Sequence, residues 1–591
     1  MTGTFAHDAR LPRVPLPTLQ DSAARFLEWC APLLTADELA ATEQAVEAFL
    51  APDSPAHALQ AALEAYDARP DVDSWLDDFW RQRYLGRRDR IALNANFFFL
   101  FEDAPLGQVE RAAALVAGAL AYKAQVDAER LPPVLQRGAP LSMEQTKYLF
   151  SATRIPGSGQ DTLRSAYSDT QAGPSPARHV LVLHRGHAHA LDVVDEDGAP
   201  HALDEIAAGL EAVRAQTTTD AAPGTSVGHL TTQAREDWAR SRQALLAAAP
   251  DNRVALDVVE TALLCVCLED QVPQSALEAC DLLLHGDSTD RWFDKALSFV
   301  VFGDGRAGLN AEHAELDGTT ILDLVDAVLT HEPAPQVTRA HPASPPRPVV
   351  FVLDAPLRAT VEQAAAAFAA YAADTATAAL SFPAVGTERI KALGSSPDAF
   401  VQLAYQLAHV RTKGLVGATY ESIATRQYRH GRTEAMRVVT PEVLAFVATM
   451  ADDTADDDLR RSAYREAALA HVARAKQCQQ GQAPEQHLWE LQMLQGRRPD
   501  PATSGPLPLY DSPGWTVMRD DVLSTSSAPS KHISHFGFGS TSPQCIGIAY
   551  VLLPDRCNVY LSTPRAVGQH LEVFARELTR ALAELDDLLS S

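Results

Sequence analysis

The run Leu297-Ser298-Phe299-Val300-Val301-Phe302 limits the possible folds of this chain more than any other stretch, because five of its six side chains are apolar and none alternates with a charged one. It reads as a buried strand, covered on both faces. Gly303-Asp304-Gly305 then gives a turn signal that ends it. Gly308 and Asn310 lead into a short segment holding Glu312, His313, Asp317 and Gly318. If that segment is helical, His313 and Asp317 share a face and the carboxylate can orient the imidazole. A histidine held in one tautomer by a carboxylate is a ready general base near neutral pH. Spacing alone fits a structural His–Asp pair at a helix start more simply than a catalytic one.

At 591 residues the chain is long enough for two or more domains, each with a substantial core. A formal net charge of −26 argues against nucleic acid or an anionic membrane surface as a partner. Any anionic ligand therefore needs a local basic patch. The seven cysteines, Cys30, Cys265, Cys267, Cys280, Cys478, Cys545 and Cys557, form no CxxC pair and no zinc spacing. Reduced thiols in the cytoplasm are the simplest account of them. The N-terminus has no apolar signal-peptide core, and no uncharged apolar run reaches membrane-spanning length, so no membrane partner is expected.

Along the chain, a proline-rich lead-in LPRVPLP at 11–17 precedes a helical pattern that runs to about Leu50. From Ser74, SWLDDFWRQRYLGRRDRIALNANFFFLF reads as an amphipathic helix followed by an extended apolar run. Residues 179–198 alternate around Arg185-Gly186 and predict a β-hairpin. That alternation explains His184, His187 and His189 more cheaply than a metal site does. Helical patterns dominate 233–284, and the six prolines of 331–348 mark a linker. A strand is expected at 349–353, then an Ala-rich helix to about Thr377. Asp452, Asp453 and Asp456-Asp457-Asp458 read as a solvated acidic surface, 535–561 as strand-rich, and the C-terminus as an amphipathic helix.

Several of these stretches resemble the carnitine/choline acyltransferase family. They are the lead-in at 11–17, the WRQRYLGRR segment, a block at 142–163 containing Thr153-Arg154-Ile155-Pro156-Gly157, the DRW–GDGRAGL–EHAELD stretch, the block from IKALGSSPDAF to GRTE, and Ser540-Thr541-Ser542. The resemblance implies an α/β fold of two domains of similar architecture, each a mixed sheet flanked by helices, with an active-site tunnel at their interface. Residues 76–340 would form the domain with the catalytic histidine. Residues 1–75 plus 345–591 would form a discontinuous second domain.

The implied activity is O-acyl transfer between coenzyme A and the hydroxyl of a small acceptor, carnitine or a carnitine-like alcohol. Acyl-CoA serves as co-substrate, with no tightly bound cofactor and no metal, and the chain is expected to be a monomer. His313 falls on the family's general base, Asp317 on its partner acid, and Ser542 on the oxyanion donor, with Ser540 beside the acceptor. Lys391 and Asp398 fall on the CoA-binding positions, while Thr387 replaces a second lysine and Arg389 lies nearby. Tyr420 and Thr433 match positions that bind the acceptor's carboxylate. The arginine that supplies charge to that carboxylate falls on neutral Gln486. Losing a charge-assisted contact costs about 1.5–3 kcal/mol, so a weakened carnitine site or another acceptor is expected. Gly547 falls where short-chain members carry a bulky side chain, which implies medium or long acyl groups. A strand glycine equally marks close approach of neighbouring atoms. Two other readings stay open: an offloading transferase taking acyl groups from a carrier protein, and a non-catalytic acyl-CoA-binding homologue.

Overall fold

The computed structural model describes residues 3–332, 344–497 and 500–591. Most of the proline-rich 331–348 segment lies outside the described residues. In chain order the first strands are β1 (Phe97–Phe101), the short pairs β2 (Leu135–Gln136) with β3 (Ala139–Pro140) and β4 (Thr153–Ile155) with β5 (Thr162–Arg164), then β6 (His179–His184), β7 (His187–Asp192), β8 (Cys265–Leu268) and β9 (Leu297–Val301). They are followed by β10 (Ala307–Ala311), β11 (Arg347–Pro348), β12 (Thr375–Phe382), β13 (Thr419–Ala424), β14 (Thr433–Arg437), β15 (Leu523–Ser527), β16 (Ile533–Phe538), β17 (Ile546–Leu552) and β18 (Cys557–Pro564).

Two mixed sheets, each flanked by helices, carry the fold. The larger has the order β11-β7-β6-β8-β9-β10-β1-β16 and the smaller β12-β18-β17-β15-β13-β14. The apolar run at 297–302 supplies β9, which is buried along its whole length, parallel to β8 and antiparallel to β10. The hairpin of β6 and β7 turns at Arg185 and Gly186, both with positive φ of 52° and 77°. That is the twist-matched geometry a two-residue loop between strands requires.

The larger sheet is not built from one continuous half of the chain. Its edge strand β16 comes from the C-terminal part and pairs antiparallel with β1, Phe97 opposite Phe538 and Phe99 opposite Phe536. The N-terminal helices Leu19–Cys30, Ala36–Leu50 and Pro55–Asp67 share a core with C-terminal residues, Phe26, Trp29, Phe49 and Trp75 packing with Leu488, Leu491 and Trp515. Buried His487 ties the two ends together through Ser22 Oγ at 2.7 Å and Gln60 Oε1 at 2.8 Å.

Three expectations differ from the structure. Residues 349–353 form no strand; the pairing is made just upstream by Arg347 and Pro348 against β7. The Ala-rich helix stops at Ala373, and Thr375–Phe382 form edge strand β12 on β18. The helical region 233–284 is interrupted by β8, four buried residues that a short apolar run does not distinguish from helix.

Candidate active site

His313 lies in the loop between β10 and the helix Gly318–Leu329, and Asp317 is that helix's N-cap residue. The expectation that one helical turn brings them together is therefore corrected: residues 312–317 have no helical hydrogen bonding, and the loop's bend does the work. His313 Nδ1 stands 3.7 Å from Asp317 Oδ1. It is buried, with no well-formed hydrogen bond among the described residues. The imidazole is nevertheless 27% exposed, so its open edge is the one bearing Nε2. Burial lowers the His313 pKa, with Arg432 adding to that effect and Asp317 opposing it. The ring is neutral at pH 7 and able to accept a proton.

Asp317 is held chiefly by a residue the sequence reading did not single out. Arg432, from the loop between β13 and β14, donates Nη2 to Asp317 Oδ1 at 2.8 Å and Nε to both carboxylate oxygens at 3.2 Å. It also donates Nη1 to the Ala314 carbonyl at 2.6 Å, so it fixes the loop as well as the acid. Gln145 closes the other side, with Nε2 to Asp317 Oδ2 at 2.6 Å and Oε1 accepting from the Asp317 amide at 2.8 Å. Burial alone would raise the Asp317 pKa, but Arg432 overrides it and keeps the carboxylate ionised. Glu312 serves the loop too, accepting from Arg154 Nη1 at 3.1 Å and from the Ala314 amide at 2.9 Å. Gln145 and Arg154 both belong to the 142–163 block.

Aromatic rings set the position of the histidine. The helix Asp77–Leu85 buries Phe79, Trp80 and Leu85, which leaves Arg83 and Tyr84 toward the site. The Tyr84 ring lies 4.9 Å from that of His313 at 30°, and Phe97 of β1 meets it edge-on at 5.0 Å. Arg432 sits over Tyr84 at 4.7 Å and Trp80 at 5.2 Å. His313 opens into a cavity of about 220 Å³ between the two sheets. One wall is apolar, from Phe97, Phe99, Phe536 and Phe538; the other carries hydroxyls of Tyr420, Ser422, Thr433 and Ser524. At about 30 Å³ per water, that volume holds roughly seven waters. It suits a small alcohol beside His313.

The other expected residues divide. Tyr420 and Thr433 line the cavity with His313 and Asp317. Burial raises the Tyr420 phenol to about 12, so it stays a hydrogen-bond donor. Gln486 is buried behind the wall, donating Nε2 to the Thr433 carbonyl at 2.6 Å and thereby bracing β14. Ser540 Oγ donates to the Ser542 and Cys545 carbonyls, both at 2.9 Å, and Ser542 Oγ to the Asp521 carbonyl at 3.0 Å. Thr541 is the member of that triplet on the cavity wall. At Gly547 the close-approach reading holds: a Cβ there would stand 2.7 Å from Ser562 Oγ and 3.2 Å from the Phe538 ring. The space in front of the glycine is already filled.

Lys391 is exposed on the helix Thr387–Ala392, and Asp398 lies in the first turn of the helix Pro397–Lys413. Neither lines the cavity. Arg389 is committed elsewhere, paired with both Asp586 oxygens at 2.7 and 2.8 Å. Asp398 accepts from Tyr550 OH at 2.6 Å and lies 3.0 Å from His471 Nε2. Burial would raise its pKa, yet His471 and Tyr550 hold it below the usual value. Neighbouring Glu421 is pushed well above the carboxylate range by burial and by Asp398. Asp398, Glu421 and His471 have metal-like spacing, and Glu421 Oε2 is buried with no well-formed hydrogen bond among the described residues.

The family model for choline/carnitine O-acyltransferases matches residues 14–580. The chain is 30% identical to carnitine O-acetyltransferase of Rattus norvegicus, over 100% of this chain and 95% of that protein. It is 31% identical to mitochondrial carnitine O-palmitoyltransferase 2 of Mus musculus, over 99% and 93%. Among solved structures, the first condensation domain of the calcium-dependent antibiotic synthetase shares 12% identity over 85% of this chain and 92% of that one, with a TM-score of 0.36. No helix among the described residues is long and apolar enough to cross a membrane.

Proposed function

The chain belongs to the choline/carnitine O-acyltransferase family and is an acyltransferase, and on that premise we propose that it transfers an acyl group between coenzyme A and the hydroxyl of a small alcohol, with His313 as general base. The observation that carries this reading is the Nε2 edge of a neutral, ring-clamped His313 opening into the cavity between the sheets. Nε2 takes the acceptor's hydroxyl proton as its oxygen forms a bond to the thioester carbonyl carbon. The tetrahedral intermediate then collapses, the C–S bond breaks, and the same proton passes to the departing thiolate. In the reverse direction the ring deprotonates the CoA thiol. A positioned base of this kind contributes about 10² to 10⁴ in rate. Asp317 favours the transient imidazolium, and Arg432 with Gln145 keeps that carboxylate in place. The oxyanion donor comes from the 540–542 triplet: Thr541 already faces the cavity, whereas Ser542 must release the Asp521 carbonyl to serve.

The acyl group is short. This reading is supported by the close packing at Gly547, where a Cβ would already meet Ser562 Oγ and the Phe538 ring; medium or long acyl groups are the alternative that the acyl-CoA ladder separates from it. The donor end supports a second reading. Lys391 is exposed, Arg389 is bound to Asp586, and Thr387 brings no charge, so the grip on a nucleotide 3′-phosphate is weak. An acyl-pantetheine carried by a protein fits the same site.

The test is thiol release from acetyl-, octanoyl- and palmitoyl-CoA with carnitine, choline or 3-hydroxybutyrate as acceptor. Acceptor-dependent release, largest with acetyl-CoA, supports the proposal. No release with any of these donors, nor with an acyl carrier protein, would refute it.

A further inference from the structure

We propose that Arg83 is the anion anchor of the acceptor chamber and selects alcohols that carry a carboxylate; this rests on the reading that the acceptor occupies the cavity beside His313. Arg83 and Arg87 are the guanidinium groups among the residues lining that cavity. Arg87 is matched by a two-point ion pair with Asp89, at 2.9 and 2.6 Å. Arg83 has no hydrogen bond or ion pair among the described residues. Its guanidinium is instead surrounded by rings, 5.4 Å from Trp80, 5.8 Å from Tyr84 and 5.0 Å from Trp489. Ring faces hold a cation in position without neutralising it.

A second cation strengthens the case. Arg519 lies 3.5 Å over the same Trp489 ring, and Arg83 is among the groups that lower its pKa, after burial. Two guanidinium groups share one indole; of these two, Glu485 reaches Arg519 alone, at 3.4 Å, and its other oxygen is taken by Arg437, which leaves an excess of positive charge. The Tyr420 phenol is near enough to feel the Arg83 charge, and its hydroxyl is kept as a donor. A guanidinium beside a donating phenol and the Thr433 hydroxyl suits a carboxylate. The Gln486 side of the chamber offers an anion no cation: Gln486 is neutral, and Glu434 beside it is pushed well above the carboxylate range by burial and by Glu485, so it carries no charge either. The charge that is missing at position 486 is therefore supplied from the helix Asp77–Leu85.

The experiment is calorimetric titration of L-carnitine, 3-hydroxybutyrate and their two carboxamides into the native protein, Arg83→Gln and Arg83→Lys. Binding is read directly and does not require turnover. The native protein should bind at least one carboxylate about ten- to hundredfold more tightly than its amide. Arg83→Gln should abolish that ratio by weakening the acid alone, and Arg83→Lys should restore part of it. Equal affinity for acid and amide in the native protein, no binding of either acid, or an unchanged ratio in Arg83→Gln would overturn the assignment. Intact discrimination in a protein that transfers no acyl group would instead refute the transferase reading and leave the anion site standing.

Discussion

Replacing Arg432 by glutamine removes the charge that holds Asp317. Asp317 loses contacts at 2.8, 3.2 and 3.2 Å, and the histidine loop loses the bond to the Ala314 carbonyl. Both partners are about 5% exposed, so the carboxylate left behind is an uncompensated buried charge. Breaking a buried pair in this way costs about 3–5 kcal/mol. Arg432 also lowers the His313 pKa while Asp317 raises it. Without Arg432, the Asp317 charge 3.7 Å from Nδ1 acts unopposed, and the pKa of His313 moves up. The base is active only when neutral. The acidic limb of the kcat/KM profile should therefore lie below pH 6.5 in the native enzyme and shift to higher pH in Arg432→Gln. Urea unfolding and the pH–rate profile are measured on Arg432→Gln, Asp317→Asn and the double variant. The double variant should be more stable than Arg432→Gln alone, because no charge is stranded. A loss of stability below about 1 kcal/mol, the size expected of an exposed pair, with the acidic limb unmoved, would show that Arg432 does not hold Asp317.

Phe538→Ala should move the acyl preference toward longer chains by freeing the space before Gly547, read as kcat/KM along an acyl-CoA ladder; an unchanged ladder would mean the chain runs elsewhere. Dephospho-CoA thioesters should have a KM within about fivefold of the CoA thioesters, since a single exposed lysine contributes at most about 1 kcal/mol; a much larger penalty would restore a strong 3′-phosphate site. Burial lowers His487 to about 3 and His409 and His535 to about 4. Each binds its proton in the unfolded chain from pH 6.5 downward but not in the folded one, so stability is full above 6.5 and falls with pH. Between pH 7 and 5 each should cost about 2 kcal/mol, and His487→Gln should flatten that slope in urea melts.

The parts legible in the sequence were those written in local pattern. The strand at 297–301, the hairpin around Arg185-Gly186 and the closeness of His313 to Asp317 follow from residues a few positions apart. Strand β12 was hidden because TATAALSF extends an Ala-rich helix, and only pairing with β18 makes it a strand. Arg432, Gln145 and Arg154 reach the histidine loop across 115, 172 and 158 residues, separations at which no spacing rule operates. The 142–163 block and the GRTE stretch did contain them, without saying which side chains converge. Gly547 gave two readings, and the close approach there comes from Phe538 and Ser562, nine and fifteen residues away. Arg83 carried no signal as one of two arginines on a short helix; that it has no carboxylate partner among the described residues is visible only in three dimensions.

Single-turnover acyl transfer by the native protein and His313→Ala, with acyl-CoA affinity measured on the same samples, bears most directly on the proposed chemistry. The rate should fall by about 10² to 10⁴ while acyl-CoA binds as before, because the ring meets the acceptor and the thioester and not the nucleotide. A His313→Ala protein that transfers the acyl group within about tenfold of the native rate would contradict the assignment of His313 as the base.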